Sequence, residues 1–329
     1  MSSRTFEIMV SEKSWPLDEP FRIARGTSTE VSVIVVTVSD GQHLGRAEAV
    51  PIARYGQNAA TTLAQLEPLA ANGAVDRAQV QKLLPPGAAR NALDCALWDL
   101  EAKTTGKRAW ELAKIEIVNS VETALTVSLD APEKMAAAAK ANAKSALLKL
   151  KLGGDHLDLP RVEAVRAAAP AARLIVDANE SWTPALYRKI VPDLARLGVE
   201  LIEQPFPADA DQVLETLDHP VPICADESCH TSADLPRLVR RYEAINVKLD
   251  KTGGLTEALL LTEQARALGL KLLFGCMVCT SLGIAPVRLL ARATDYVDLD
   301  GPLLLSGDRH HRLAYDNGTI GLPSRELWG

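Results

Sequence analysis

The 329-residue chain is predicted to be an α/β protein, a (β/α)8-type TIM barrel with an N-terminal α+β capping domain. Three observations carry that expectation. From about residue 119 onward, short apolar runs of strand length alternate with amphipathic helical stretches, and there are eight such runs. Marked near their C-terminal ends at Thr126, Lys151, Asp177, Glu203, Asp226, Lys248, Gly275 and Asp298, they recur every 22 to 27 residues. Regular β/α spacing implies parallel strands joined by right-handed helical crossovers, and eight units is the number that closes a barrel. No Gly-rich dinucleotide or phosphate loop follows any of these strands, which disfavours an open Rossmann-type sheet.

Residues 1–118 form the cap in this reading. "FEIMVSEKSWPL" and "VSVIVVTVSDGQHLGRAEAVP" are strands, the second broken at the hairpin signal Asp40-Gly41. Helical patterns follow within "ATTLAQLEPLAANG", "RAQVQKLLPPG" and "AARNALDCALWDLEAKTTGK", the last stopped by Gly106. Strands and helices in separate blocks indicate a small α+β unit. Residues 119–303 then supply the barrel, with strands expected in "VETALTVSL", "ALLKLKL", "ARLIVDAN", "VELIEQP", "VPICADES", "AINVKLDK", "KLLFGCM" and "DYVDLDGP". Residues 304–329 are too few for a domain and are expected to return to the cap.

Composition narrows the function. A net charge of −6 with 47% hydrophobic residues describes a soluble globular protein and argues against nucleic acid or an anionic membrane as partner. The start "MSSRTFEIMV" lacks a signal-peptide pattern, and no run of about 18 apolar residues marks a span. Five scattered cysteines suit a reducing, cytoplasmic setting. Cys276 and Cys279 have no second ligand pair with metal spacing and are expected to pack at a strand end.

The charged residues of the barrel strands fall at one address. In "SALLKLKLGG" Lys149 and Lys151 share a strand face opposite the leucines, which on that fragment alone fits a sheet with one wet face. The other strands change the reading, because Asp177, Asn179, Glu203, Asp226, Glu227, Lys248, Asp298 and Asp300 all sit at C-terminal strand ends in apolar sequence. Barrel enzymes place their chemistry on that rim. Asp177, Glu203 and Asp226 lie on three consecutive strands and would repel one another without a cation. An all-oxygen set favours Mg²⁺, one ion per subunit, with Mn²⁺ accepting the same ligands. Asn179 and Glu227 stand beside these ligands in support. Strands 2 and 6 are four staves apart, so Lys151 and Lys248 face each other across the mouth, placed to remove a proton from one face of a carbon and deliver one to the other. The cation and Lys149 are expected to lower the pKa of Lys151 towards that of a general base.

These residues resemble the enolase superfamily over essentially the whole chain, through "KLK" at 149–151, "DAN" at 177–179, "IEQP" around Glu203, "ADES" around Asp226 and "VKLDKTGG" containing Lys248. A lysine after both the second and the sixth strand is similar to the muconate lactonizing enzyme subgroup. Within it, "DLDGP" resembles the dipeptide epimerases, especially those acting on L-Ala-D/L-Glu, a fragment of peptidoglycan turnover. The resemblance implies a small dipeptide substrate whose α-ammonium is bound by Asp298 and Asp300. Two cap loops, "RIARGTST" and "PIARYGQN", are similar to the family's site-closing loops, and Arg25 resembles the residue that meets a glutamate side chain. An epimerase for other dipeptides, or a lyase on the same scaffold such as an o-succinylbenzoate synthase or a lactonizing enzyme, stays open at this point. So does homo-oligomerisation, because barrel helices and caps form interfaces without a linear signature.

Overall fold

The computed structural model describes residues 6–292 and 295–329. The chain opens with three antiparallel strands, β1 (Glu7–Ile23), β2 (Gly26–Ser39) and β3 (Leu44–Ala49), ordered β1-β2-β3. β1 is longer than its sequence implies. It runs through Pro16 to Ile23, with a register shift between Pro16 and Phe21 that lets an edge strand carry proline. Residues 22–29, expected as a loop, are therefore the tip of the β1–β2 hairpin and the start of β2. Helices α1 (Ala59–Asn72), α2 (Arg77–Leu83) and α3 (Ala88–Thr105) follow, with Gly106 in a left-handed conformation ending α3 where the sequence placed its stop.

The expected barrel is borne out. Eight strands lie in one sheet in sequence order, and each neighbouring pair in it is parallel: β5 (Leu125–Val127), β6 (Leu147–Lys151), β7 (Arg173–Asp177), β8 (Val199–Glu203), β9 (Ile223–Ala225), β10 (Ala244–Val247), β11 (Lys271–Gly275) and β12 (Tyr296–Asp298). Closure comes from Ala124, whose N–H donates to Val297 O at 2.7 Å. The first predicted strand is split. Its front part, β4 (Val121–Glu122), leaves the barrel and joins β13 (Tyr315–Asp316) and β14 (Thr319–Ile320) from the chain's end.

Alternation along the strands sorts the interior into levels. Ala124, Leu147, Ile175, Leu201, Cys224, Ala244, Leu273 and Tyr296, one from each strand or its approach, make an apolar floor. Two residues further along each strand stand Thr126, Lys149, Asp177, Glu203, Asp226, Asn246, Gly275 and Asp298. A β-strand repeats its facing every two residues, so one step turns a greasy floor into a level holding four carboxylates and one ammonium. Gly275 leaves room there, since a Cβ on it would lie 2.5 Å from Asn246 Oδ1.

The cap docks on this barrel through α3, whose residues from Ala88 to Leu100 are all buried. Arg90 donates to Thr252 O at 2.6 Å, and Asp94 accepts from Thr256 N at 3.0 Å and Thr256 Oγ1 at 2.6 Å. The two glycines of "TGG" make that approach feasible. Gly253 and Gly254 both have positive φ, and a Cβ on either would overlap Arg90 or Asp94. Cap residue Glu48 accepts from Thr280 N at 2.7 Å and pairs with Arg309, tying cap, barrel and tail together. The tail ends against α3, with Trp328 wholly buried and its Nε1–H donated to Cys95 O at 3.0 Å.

Burial raises the Asp94 carboxyl from 3.8 to about 6, although the Thr256 hydrogen bonds oppose it. Because the folded pKa lies above the unfolded one, this group's contribution is fully present below about pH 4 and is lost as pH rises through about 6. Wild type is therefore expected to gain up to about 3 kcal/mol over Asp94→Asn between pH 7 and pH 4. Denaturant unfolding of both proteins at the two pH values checks this, and parallel curves would show that Asp94 titrates normally.

Candidate active site at the barrel mouth

Both faces of β6 are covered, as the interior reading of Lys149 and Lys151 requires and a wet face does not. Leu148, Leu150 and Leu152 point outward to the helices, while Lys149 and Lys151 point into the barrel at 1% and 8% exposure. An ammonium buried so deeply requires anionic partners. Lys149 Nζ lies 2.6 Å from Glu203 Oε2, 2.7 Å from Asp298 Oδ2 and 3.3 Å from Asp177 Oδ2. Burial disfavours its charge, but Asp298, Glu203 and Asp177 outweigh that and raise its pKa well above the ordinary value. Its charge is held among these carboxylates, so its first role is to keep the acidic level together.

Lys151 and Lys248 lie one step nearer the mouth. Lys151 Nζ is 2.6 Å from Asp177 Oδ2, and Lys248 Nζ is 2.8 Å from Asp226 Oδ2. Their positions, at the end of β6 and just after β10, are four staves apart in the sheet, on opposite sides of one cavity of about 470 Å³. Phe21 of the cap hairpin looks onto Lys151, with its ring centroid 6.0 Å from Nζ. Leu17, Ile23 and Tyr55 extend this apolar roof. Burial works against the Lys248 ammonium, and Asp226 and Glu203 more than compensate, leaving its pKa raised.

Asp177, Glu203 and Asp226 meet at the level below. The register sets Asp177 opposite both Lys151 and Glu203. Asp226 falls one residue past β9, and Asn179 two past β7, on the rim rather than on the strands themselves. Asn179 and Glu180 both have positive φ, and Asn179 N–H donates to Asp177 Oδ1 at 2.9 Å, which holds that carboxylate in place. The electrostatics are tense. Burial raises the Asp177 carboxyl, but Lys151 and Lys149 win and bring it to about 2. Glu203 goes the other way, to about 7, through burial and the neighbouring Asp177 charge. Glu227 is likewise raised to about 7 by burial and by Asp226.

Among the described residues no three such side chains already converge as a metal cage. Asp177, Glu203 and Asp226 turn their oxygens to lysines instead. Their chemistry nevertheless fits a hard divalent cation, being three buried carboxylates on adjacent strands, one of them held towards its neutral form by its neighbours.

At the last strand the structure corrects one expectation. Asp298 and Asp300 both line the cavity, but β12 ends at Asp298 and Asp300 begins the following turn. Asp300 Oδ2 accepts from Thr126 N at 2.6 Å, and burial with the Asp298 charge raises its carboxyl to about 7. Asp298 Oδ2 accepts from Lys149 Nζ at 2.7 Å, and its buried Oδ1 has no hydrogen-bond partner among the described residues. Arg25 reaches the site from the hairpin tip, where its Nη1 lies 2.7 Å from Glu227 Oε1 and 3.0 Å from Asn179 O. Cys279 is buried as expected, whereas Cys276 also borders the cavity.

Three residues of the site are absent from the sequence reading. Lys251, buried at 1%, donates to Asp226 Oδ1 at 2.6 Å, Asp226 O at 2.5 Å and Asn246 O at 2.9 Å. Asn246 donates Nδ2–H to Glu203 Oε1 at 2.7 Å. Gln204 accepts from Asp226 N at 2.9 Å and Ser228 N at 3.1 Å, fixing the backbone that carries Asp226. Each has a signal in sequence: a charge one helical turn past Lys248, a polar residue two before it, and the glutamine of "IEQP".

Comparison with known proteins extends this picture. Residues 5–113 match the mandelate racemase / muconate lactonizing enzyme N-terminal domain, and residues 133–326 match the enolase C-terminal domain-like family. The chain is 46% identical over 320 residues to the L-Ala-D/L-Glu epimerase of Escherichia coli, covering 96% of this chain and 99% of that one. It is 43% identical over 301 residues to an N-acetyl-D-glutamate racemase of a Pseudoalteromonas species, covering 90% and 95%. Among solved structures, an enolase family member from Agrobacterium tumefaciens with homology to dipeptide epimerases, bound to sodium and L-Ala-L-Glu, superposes with a TM-score of 0.96. That match has 46% identity and covers 98% of this chain and 100% of the other.

Proposed function

The chain belongs to the mandelate racemase / muconate lactonizing enzyme family of the enolase superfamily, and from that premise we propose that it is a metal-dependent dipeptide epimerase, an isomerase acting on L-Ala-D/L-Glu. The observation that carries this reading is the pair Lys151 and Lys248, two ammonium groups on opposite staves bordering one cavity, each anchored to a different carboxylate. When one of the two is a neutral amine and the other an ammonium, a carbon held between them can lose a proton to the first and gain one from the second on its opposite face, which inverts the centre.

The remaining residues bind and orient. Asp177, Glu203 and Asp226 would hold Mg²⁺ or Mn²⁺, which when bound stabilises negative charge on the substrate's carboxylate as its α-proton leaves. Lys149 keeps the buried carboxylates in register, while Asn179 and Glu227 brace their rim. At the far side, Asp298 Oδ1 lacks a partner and Asp300 is held near its neutral form, so an α-ammonium satisfies both at once. Arg25 lies on the cap side, where a side-chain carboxylate would point. The roof of Leu17, Phe21 and Tyr55 excludes water from the exchanging proton. A role in cytoplasmic peptidoglycan turnover accords with this substrate and with five free cysteines. Among the described residues no helix is long and apolar enough to cross a membrane.

Proton exchange tests the proposal. With L-Ala-L-Glu and Mg²⁺ in deuterium oxide, proton NMR is expected to show the glutamate α-proton signal disappearing while the second diastereomer grows, with both stopped by EDTA. An unchanged α-proton signal would remove the Ala-Glu assignment.

A further inference from the structure

One barrel residue, Glu180, contacts both cap segments that roof the cavity. Glu180 follows the "DAN" stretch with φ +69°, a left-handed conformation that costs a non-glycine residue energy and aims its side chain at the cap. Glu180 Oε2 accepts from Arg54 Nε at 2.8 Å, and Oε1 accepts from Arg54 Nη2 at 2.8 Å, a two-pronged charge-assisted pair. Oε2 also accepts from Arg25 Nη1 at 3.2 Å, and Oε1 is fixed from behind by Ala208 N–H at 2.9 Å. Its side chain is 7% exposed, whereas Arg25 and Arg54 are 35% and 41% exposed. An enclosed carboxylate therefore holds two partly exposed cations, one from the hairpin tip and one from the turn at residues 53–55.

The two arginines are held differently. The Nε and Nη2 of Arg54 are both engaged by Glu180. Among the described residues the side-chain contacts of Arg25, to Asn179 O, Glu180 and Glu227, run through Nη1, which leaves its Nε–Nη2 edge for a ligand. We propose that Glu180 is a positioning residue that docks the two cap segments and, by occupying Arg54 and orienting Arg25, sets the preference for an acidic C-terminal residue in the substrate. Guanidinium geometry makes this selective. A planar fork rewards a carboxylate only when its edge is presented squarely, and Glu180, together with Glu227 and Asn179 O, holds the Arg25 end in place.

The inference rests on the dipeptide-epimerase reading, and its test has one arm independent of turnover. Trypsin cleaves after Arg25 and Arg54, and the clasp shields both bonds. Glu180→Gln keeps the shape and removes the charge. It is expected to speed cleavage at those two bonds by about tenfold, mapped by mass spectrometry, with the thermal midpoint within a few degrees of wild type. In the kinetic arm, its KM for L-Ala-L-Glu is expected to rise about tenfold, more than that for a neutral dipeptide, the loss falling on KM rather than kcat. Arg54→Gln, which breaks the same pair from the cap side and removes the second trypsin site, is expected to speed cleavage after Arg25 and to raise KM for L-Ala-L-Glu, both by less. Unchanged cleavage in Glu180→Gln overturns the clasp. Faster cleavage with equal KM changes for acidic and neutral dipeptides overturns the specificity role. If wild type turns over no acidic dipeptide, the substrate reading and its specificity clause fail, while the cleavage rates still decide the docking.

Discussion

Replacing Lys151 or Lys248 with alanine is expected to lower epimerisation by roughly 10³-fold or more, the upper part of the range for a lost general acid or base. Both variants are expected to fold, because each leaves its carboxylate with a second cation. Asp177 keeps Lys149 at 3.3 Å when Lys151 is removed, and Asp226 keeps Lys251 at 2.6 Å when Lys248 is removed. The informative result is an asymmetry. A variant with one lysine can still exchange the α-proton of the diastereomer whose proton faces that lysine, returning deuterium to the same face without inversion. Lys151→Ala and Lys248→Ala are therefore expected to exchange opposite diastereomers of Ala-Glu in deuterium oxide, measured by proton NMR. If both variants exchanged the same diastereomer, the two lysines would not serve opposite faces.

Lys251→Met is expected to cost about 3–5 kcal/mol of stability in EDTA, the usual result of removing one partner of a buried ion pair. Burial alone would raise the Asp226 carboxyl, but Lys248, Lys251 and Lys149 hold it well below the ordinary range. Without Lys251, Asp226 Oδ1 and Asn246 O each lose a donor, while Asp226 O keeps only the Cys229 N–H at 3.1 Å. Excess Mg²⁺ is expected to return part of the loss, because a bound cation restores charge to the same carboxylate. Guanidinium unfolding with and without Mg²⁺ measures both effects. A loss below about 1 kcal/mol would mean that Asp226 is supported without Lys251.

Much of the site could be read along the chain because a β-strand has a fixed period. Charged residues in apolar runs such as "LIVDAN", "LIEQP" and "ICADES" must face a polar interior, and even strand spacing puts their ends on one rim. Lys151, Lys248, Asp177, Glu203 and Asp226 follow from that rule alone. Residues beyond the strands were harder to place. Lys251 lies on a single helical turn (Leu249–Thr252), where a lysine ordinarily faces solvent, and it is buried only because β9 brings Asp226 against it. Asn246 resembles any polar strand residue until Glu203, 43 positions earlier in sequence, arrives beside it.

Local sequence by itself determined the strand and helix order, the eight-fold barrel and the identity of the charged rim, since each depends on periodicity within a few residues. Tertiary structure alone decided which charges pair. Lys149 looked like a companion to Lys151 and proved to be the centre of Glu203, Asp298 and Asp177, three carboxylates from three other strands. It likewise decided that the segment around Arg25 is a hairpin tip held by Glu180 and Glu227 rather than a loop, and that the glycines after Lys251 make room for α3 of the cap. Pairing energies depend on distance and burial across the fold, and no window of sequence contains either.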